Sequence, residues 1–381
     1  MSNSSRIGSI DFWRGGVLIA ILVDHIPGNV LESLTPRNFG LSDSAEAFVF
    51  LSGLSVGLVY LPRARRQGFE SVARSCLQRA LKLYGVHIGL TFAALAIFVA
   101  GYCLSGAQDL LEVHGRSLVF GSPASGVTGV ALLSHQLGYF NILPLYIMLM
   151  LWAPLALAVA LYDARLALVA SALIYAGSRS FGLRLPSWPE PGGWFFNPFA
   201  WQLVFTIGLT SAILWRDGPP RPAAGLVVLS MAAIIAAALV VTSGGGLVPG
   251  LREAISAHLD LAKQDLGLAR LTHFLALAYL AAVAPSRAPS LTRLVDGAVG
   301  RAFQSLGRNS LAIFAGGWLV SACGQAALGA TAPHAEPAVV HCLGIAYTVA
   351  GVAALFILAR RIECRRPLAP VALRSTAVRP P

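Results

Sequence analysis

Ten apolar runs of roughly 17 to 25 residues follow one another along the chain, each the length that a ~30 Å hydrocarbon core requires of a helix. They lie near 7–26, 45–61, 80–103, 137–161, 164–178, 199–215, 222–242, 270–285, 305–326 and 338–359. This pattern leaves one fold class: an all-α, polytopic integral membrane protein. The composition agrees, with 56% hydrophobic and only 12% charged residues in 381 and a mean hydropathy of +0.69. The first run contains Asp11 and Arg14 and is followed by no small-residue cleavage site, so no cleaved signal is expected. Residues 1–360 are expected to form one membrane domain, and the Arg- and Pro-rich stretch 361–381 a flexible cytoplasmic tail.

A formal charge of +11 could point to nucleic acid, but the distribution of the basic residues follows membrane topology. With the amino terminus inside, 19 of the 28 Lys and Arg residues fall on the inner side or in the tail and seven in outer loops. That is the positive-inside bias, and an even number of helices puts both termini in the cytoplasm. The five cysteines carry no disulfide framework and no metal-ligand spacing, so no metal is expected.

Against this apolar background the first run stands out, because it keeps Asp11, Arg14, Asp24 and His25. Ionisable groups inside a bilayer are expensive, and they usually line a cavity or do chemistry. Arg14 and His25 are eleven residues apart, which at ~100° per residue places them about 20° from one face and roughly 16 Å apart along the axis. A guanidinium then sits below an imidazole. In the second run Asp43 and Glu46 are spaced as a capping pair, and Glu46 should match His25 in depth as a candidate partner. Asp24, as the neighbour of His25, points about 100° away. It is expected to cap the following loop or polarise a substrate.

A neutral imidazole near the outer face can take a proton from a sugar hydroxyl, since its ordinary pKa of ~6.5 is close to working pH. A guanidinium deeper in the membrane suits bidentate binding of an oxyanion such as phosphate. Together they suggest a conduit with an anion site at Arg14 and a base at His25; with the resemblance given below, this implies that Arg14, with Asp11 and Arg308, binds a cytoplasmic acyl-CoA donor while His25, with Asp24 and Glu46, activates the acceptor. Arg37, or an outer-loop Arg179 or Arg184, could meet a donor carboxylate. Asn141, Asn197, Trp201 and Gln202, in outer segments, are the candidate sugar-binding residues, with Tyr139, Trp188 and Trp194 as further aromatics.

These segments also carry a resemblance. Arg14 and His25 with ten residues between them resemble the Arg-x10-His signature of the acyltransferase-3 superfamily, and Phe48 to Gly53 is similar to its second-helix motif. Within it the chain most resembles the OpgC family, through Asp11–Gly15, Thr35–Gly40, Asn141–Tyr146, Trp194–Gln202 and Leu306–Leu311. That resemblance implies a ten-helix enzyme of the bacterial inner membrane that transfers a succinyl group, with succinyl-CoA the implied donor, to a periplasmic glucan. The position of Asn309 is often histidine in the family, so no proton-transfer role carries over to it. Two alternatives stay open: O-acetylation of another envelope glycan, and a proton-coupled transporter or flippase using the same ionisable groups, although no second copy of the charged first-run pattern marks an internal repeat.

Overall fold

The computed structural model describes residues 3–215, 218, 220–242, 258–331 and 335–365. Arg252, His334 and positions 366–381 of the expected tail lie outside the described residues. The expected spans correspond, in order, to α1 (Asn3–Asp24), α2 (Ser44–Gln67), α3 (Phe69–Ser105), α4 (Ile142–Tyr162), α5 (Ala164–Ser180), α6 (Pro198–Leu214), α7 (Ala224–Thr242), α8 (Leu268–Arg287), α9 (Ser310–Thr331) and α10 (Pro337–Cys364). There is no strand among the described residues. Seven of these helices, α2, α3, α4, α7, α8, α9 and α10, are long and apolar enough to cross a membrane. Of the others, α6 is apolar but only 17 residues long, α5 is equally short, and α1 carries the ionisable groups noted above.

Helix α2 runs on to Gln67 and α10 to Cys364, so that positions 361–364 of the expected tail are helical, and three further boundaries differ from the expected ones for a physical reason. Helix α3 begins at Phe69 and runs for 37 residues, about 55 Å at 1.5 Å per residue. It outlasts the apolar slab that hydropathy detects, and its first turns carry an exposed Arg74–Glu70 ion pair of 2.9 Å. Positions 137–141, expected to be helical, form a turn before Ile142 in which Tyr139 takes φ +71°. The ninth span is broken at Asn309, which caps a separate amphipathic helix, Ala298–Arg308, before α9 starts at Ser310.

Small residues set the closest helix contacts, as they do wherever lipid is as apolar as the helix faces and packing must drive association. Gly53 and Gly57 on α2 lie against the Phe205 and Leu209 carbonyls of α6, and Gly208 on α6 lies against the Phe50 carbonyl of α2. A Cβ at Gly53 would stand 1.9 Å from the Phe205 oxygen. We therefore expect Gly53→Val to force α2 and α6 apart and to cost at least about 1–3 kcal/mol. By contrast, Gly85→Ala on α3, which meets no heavy atom within 4 Å, should leave stability unchanged or raise it by up to about 1 kcal/mol. Thermal unfolding in detergent compares the two, and equal midpoints would refute the close-packing account.

The same device joins α1 to the helix Ala298–Arg308. Gly15 accommodates the Phe303 carbonyl and Gly307 accommodates that of Asp11, each at about 2 Å from where a Cβ would be. Two of the segments singled out in the sequence thus cross at contact distance, and the crossing fixes Arg14 beside them.

Candidate functional site

Arg14 projects from α1 at this crossing into a space between α1, α2, α3, α4 and α9. Its guanidinium pairs with Asp11 Oδ1 at 2.9 Å. It also donates to the Gly307 carbonyl at 3.3 Å, to the Leu51 carbonyl at 3.4 Å and to Ser55 Oγ. The pairing with Asp11 one turn away offsets its charge, and the carbonyl contacts fix its direction. Beside it lies a cavity of about 130 Å³ whose polar lining is Arg14, Ser52, Ser55, Arg79, Tyr146 and Ser310. Arg79, on α3, pairs with no carboxylate among the described residues, and no carboxylate lines the cavity. The cavity is consequently cationic.

His25 stands just past the last turn of α1. Its Nδ1 is 2.5 Å from the Ile21 carbonyl, and because a carbonyl can only accept, Nδ1 is the protonated nitrogen. In the neutral imidazole Nε2 then carries the lone pair, the form a general base requires. The ring is held by Tyr139 at 4.8 Å and Trp318 at 5.0 Å between centroids, and Gln325 donates to the His25 carbonyl at 3.4 Å. These contacts orient the imidazole without engaging Nε2.

A crevice of about 10 Å³ adjoins His25, lined by Ile21, Phe314, Trp318 and Ser321 among others. Phe314 also lines the Arg14 cavity. It stacks on Phe48 at 5.8 Å and meets Trp318 edge-on at 5.7 Å. The space beside Arg14 and the crevice beside His25 thus share the Phe314 ring in their linings. The volume at His25 holds at most about one water.

The carboxylates expected beside His25 are elsewhere. Asp24 accepts from Thr35 Oγ1 at 2.6 Å and lies 3.8 Å from Arg37 Nε, so it braces the loop after α1, as the ~100° offset between helical neighbours requires. Glu46 has no exposed surface and does not meet His25. It accepts the Asp43 backbone N–H at 3.0 Å in a capping box and pairs with Arg270 at 2.7 Å. Asp43 binds Lys263 at 2.6 Å and Arg270 at 3.0 Å. Burial alone would raise the Asp43 carboxyl, but Lys263 and Arg270 outweigh it and hold the group below the usual carboxylate range. Helical periodicity puts Glu46 at the right depth but on the wrong partner, because depth says nothing about direction around a helix.

Arg308, expected at the donor site, instead donates to Glu363 at 2.7 and 3.0 Å and ties Ala298–Arg308 to α10. The expected sugar residues also divide. Asn197 is buried: it caps α6 and donates to the Leu183 carbonyl at 2.9 Å and to Asp265 at 3.0 Å. Trp201 is wholly buried, its indole N–H on the carbonyls of Lys263 and Gln264. Gln202 joins α6 to α5 through Ser171 at 2.5 and 2.8 Å. These three are framework residues and are closed to a sugar. Asn141 sits at the start of α4 and makes no side-chain capping bond.

Arg179 and Arg184 are committed to Asp260 and Asp265. Arg37, with its side chain 43% exposed and only loose pairs at 3.5 and 3.8 Å, is the more accessible cation. Trp318, Arg79, Lys263 and Arg270 were not singled out in the sequence. For the last two, the one signal that could have found them is their opposite charge to Asp43 and Glu46 at the same end of the helices.

Comparison with curated proteins gives no match to this chain. The family described as OpgC protein matches residues 6–366, nearly the whole chain. The protein thus belongs to the OpgC family of membrane acyltransferases.

Proposed function

We propose that this chain is an O-acyltransferase of the bacterial inner membrane, moving a succinyl group from cytoplasmic succinyl-CoA to hydroxyls of a periplasmic glucan with His25 as general base. The observation that carries the reading is the Nδ1–H bond from His25 to the Ile21 carbonyl. In the neutral ring it leaves the Nε2 lone pair free, just past the end of the helix whose Arg14 lines the cationic cavity.

In this reading the basic end of the protein faces the cytoplasm, and the donor enters there. Arg79 and Arg14 attract an anionic portion of the coenzyme, and guanidinium pairs suit phosphate oxygens. The serine and tyrosine hydroxyls of the cavity supply neutral hydrogen bonds along the donor arm. For the thioester to reach Nε2, the Phe314 ring turns aside, a rotation between staggered rotamers. At the far end Arg37 pairs with the free carboxylate of the succinyl group, as the cation with least competition from its neighbours.

Nε2 then takes the hydroxyl proton as the sugar oxygen attacks the thioester carbonyl. The carbon–sulfur bond breaks, and the imidazolium returns the proton to the departing thiolate. The products are an ester and free coenzyme A, and His25 is restored. Mass spectrometry of periplasmic oligosaccharides from cells with and without the gene tests this directly. The expected difference is one succinyl unit per modified sugar; identical spectra would overturn the reading.

A further inference from the structure

We propose that Tyr139, backed by His114, is the platform on which the acceptor sugar stacks to present its hydroxyl to His25. This rests on the reading of His25 as the base and adds to it the residues that hold the acceptor.

The first observation is backbone strain. Tyr139 has φ +71° and His114 φ +60°, a region that L side chains rarely occupy and that costs of order 1–3 kcal/mol per residue. The two residues come from separate loops that lock together: Gly138 N–H donates to the His114 carbonyl at 2.8 Å, and a Cβ on Gly138 would lie 2.5 Å from that of His114. The loop bearing His114 is anchored in turn by Arg116. That residue is buried, donates to the Asp109 carbonyl at 2.9 Å and lies over the Phe98 ring at 4.1 Å.

The second observation is where the strain puts the rings. The Tyr139 ring is 4.8 Å from that of His25 and 4.9 Å from that of His114, so three rings lead outward from the base. Leu137 and Phe140 on either side are buried, whereas Tyr139 is 39% exposed. A tyrosine serving only to pack would turn inward with its neighbours, and one serving only as an interfacial anchor would need no strained backbone and no contact with the base. Sugar C–H faces carry partial positive charge and suit the negative face of an aromatic ring. Partial desolvation, with Arg116 beside it, holds the His114 imidazole below its ordinary value, which favours the neutral ring and extends the platform without adding charge.

The test uses the full-length protein in lipid nanodiscs, succinyl-CoA, and a purified periplasmic glucan preparation. Tyr139→Ala is expected to raise the apparent KM for glucan about tenfold, equivalent to roughly 1.4 kcal/mol, with the KM for succinyl-CoA unchanged. Tyr139→Gly relieves the positive φ, so it should melt at a higher temperature than Tyr139→Ala and yet show the same rise in KM. That separates the ring from the backbone. Tyr139→Phe keeps the ring and should restore the glucan KM to within about threefold. A wild-type glucan KM in both Tyr139→Ala and Tyr139→Gly would overturn the platform while leaving the acyltransferase reading intact. No transfer by the unaltered protein would overturn that reading, and the platform with it.

Discussion

His25→Ala is expected to lower acyl transfer by about 10²- to 10⁴-fold, the usual contribution of a positioned general base, while the protein stays inserted and folded. The structure makes both halves of this result expected. Nδ1 is bound to a carbonyl of its own helix, so removing the ring leaves no buried partner from another element unpaired. The ring contacts with Tyr139 and Trp318 are worth about 0.5–1.5 kcal/mol each, too little to unfold the bundle. His25→Gln should be as inactive as the alanine variant, since an amide can hydrogen-bond but cannot accept a proton near pH 7. Folding is followed by circular dichroism and gel filtration, and transfer by glucan mass spectrometry. Wild-type transfer in a well-folded His25→Ala protein would remove His25 as the base.

Arg270→Ala is expected to be among the most destabilising single substitutions on the His25 side of the protein, at about 3–5 kcal/mol, because it strips the cation from a buried carboxylate. Glu46 is fully buried and depends on Arg270 at 2.7 Å, whereas Asp43 keeps Lys263 at 2.6 Å. The loss should therefore track Glu46. Adding Glu46→Gln to Arg270→Ala should recover most of it, and the double-mutant cycle in thermal unfolding gives the coupling. Additive effects of the two substitutions would show that the pair is not coupled. The sign of the pH dependence follows from Asp43, whose carboxyl is held below its ordinary value of 3.8. Its pairing contributes stability at pH values above 3.8 and loses it only as the pH falls through the depressed folded value. Arg270→Ala should move that loss to higher pH.

Part of this architecture is legible in the amino-acid order alone. Hydropathy averages over about twenty residues, and so it locates α1 to α10 while missing the start of α3 at Phe69, the turn around Tyr139 and the break at Asn309. Each of those is decided by one or two residues. The common face of Arg14 and His25 is legible for a similar reason, since helical periodicity relates positions within one element. Partners across elements are not. Glu46 at the depth of His25 pairs with Arg270, and Arg308 pairs with Glu363 rather than reaching the donor cavity. Asn197, Trp201 and Gln202 have the chemistry of sugar ligands, but their polar atoms hold α6 to its neighbours.

The amino-acid sequence by itself determined that this chain is a helical membrane protein of the OpgC family, with a guanidinium and an imidazole on one face of its first helix. The helical class rests on apolar run length and the shared face on spacing along a single helix, whereas family membership rests on several separate motifs and a match over residues 6–366. Only the tertiary structure decided which groups are free to act. It offset Arg14 with Asp11 and left Arg79 without a carboxylate in the cavity, put the Phe314 ring in the lining of both spaces, and strained two loops to bring Tyr139 edge-on against His25. The physical reason is that hydrogen bonds and ion pairs act over about 3 Å, so a polar group's role depends on which side chain from a distant helix reaches it first.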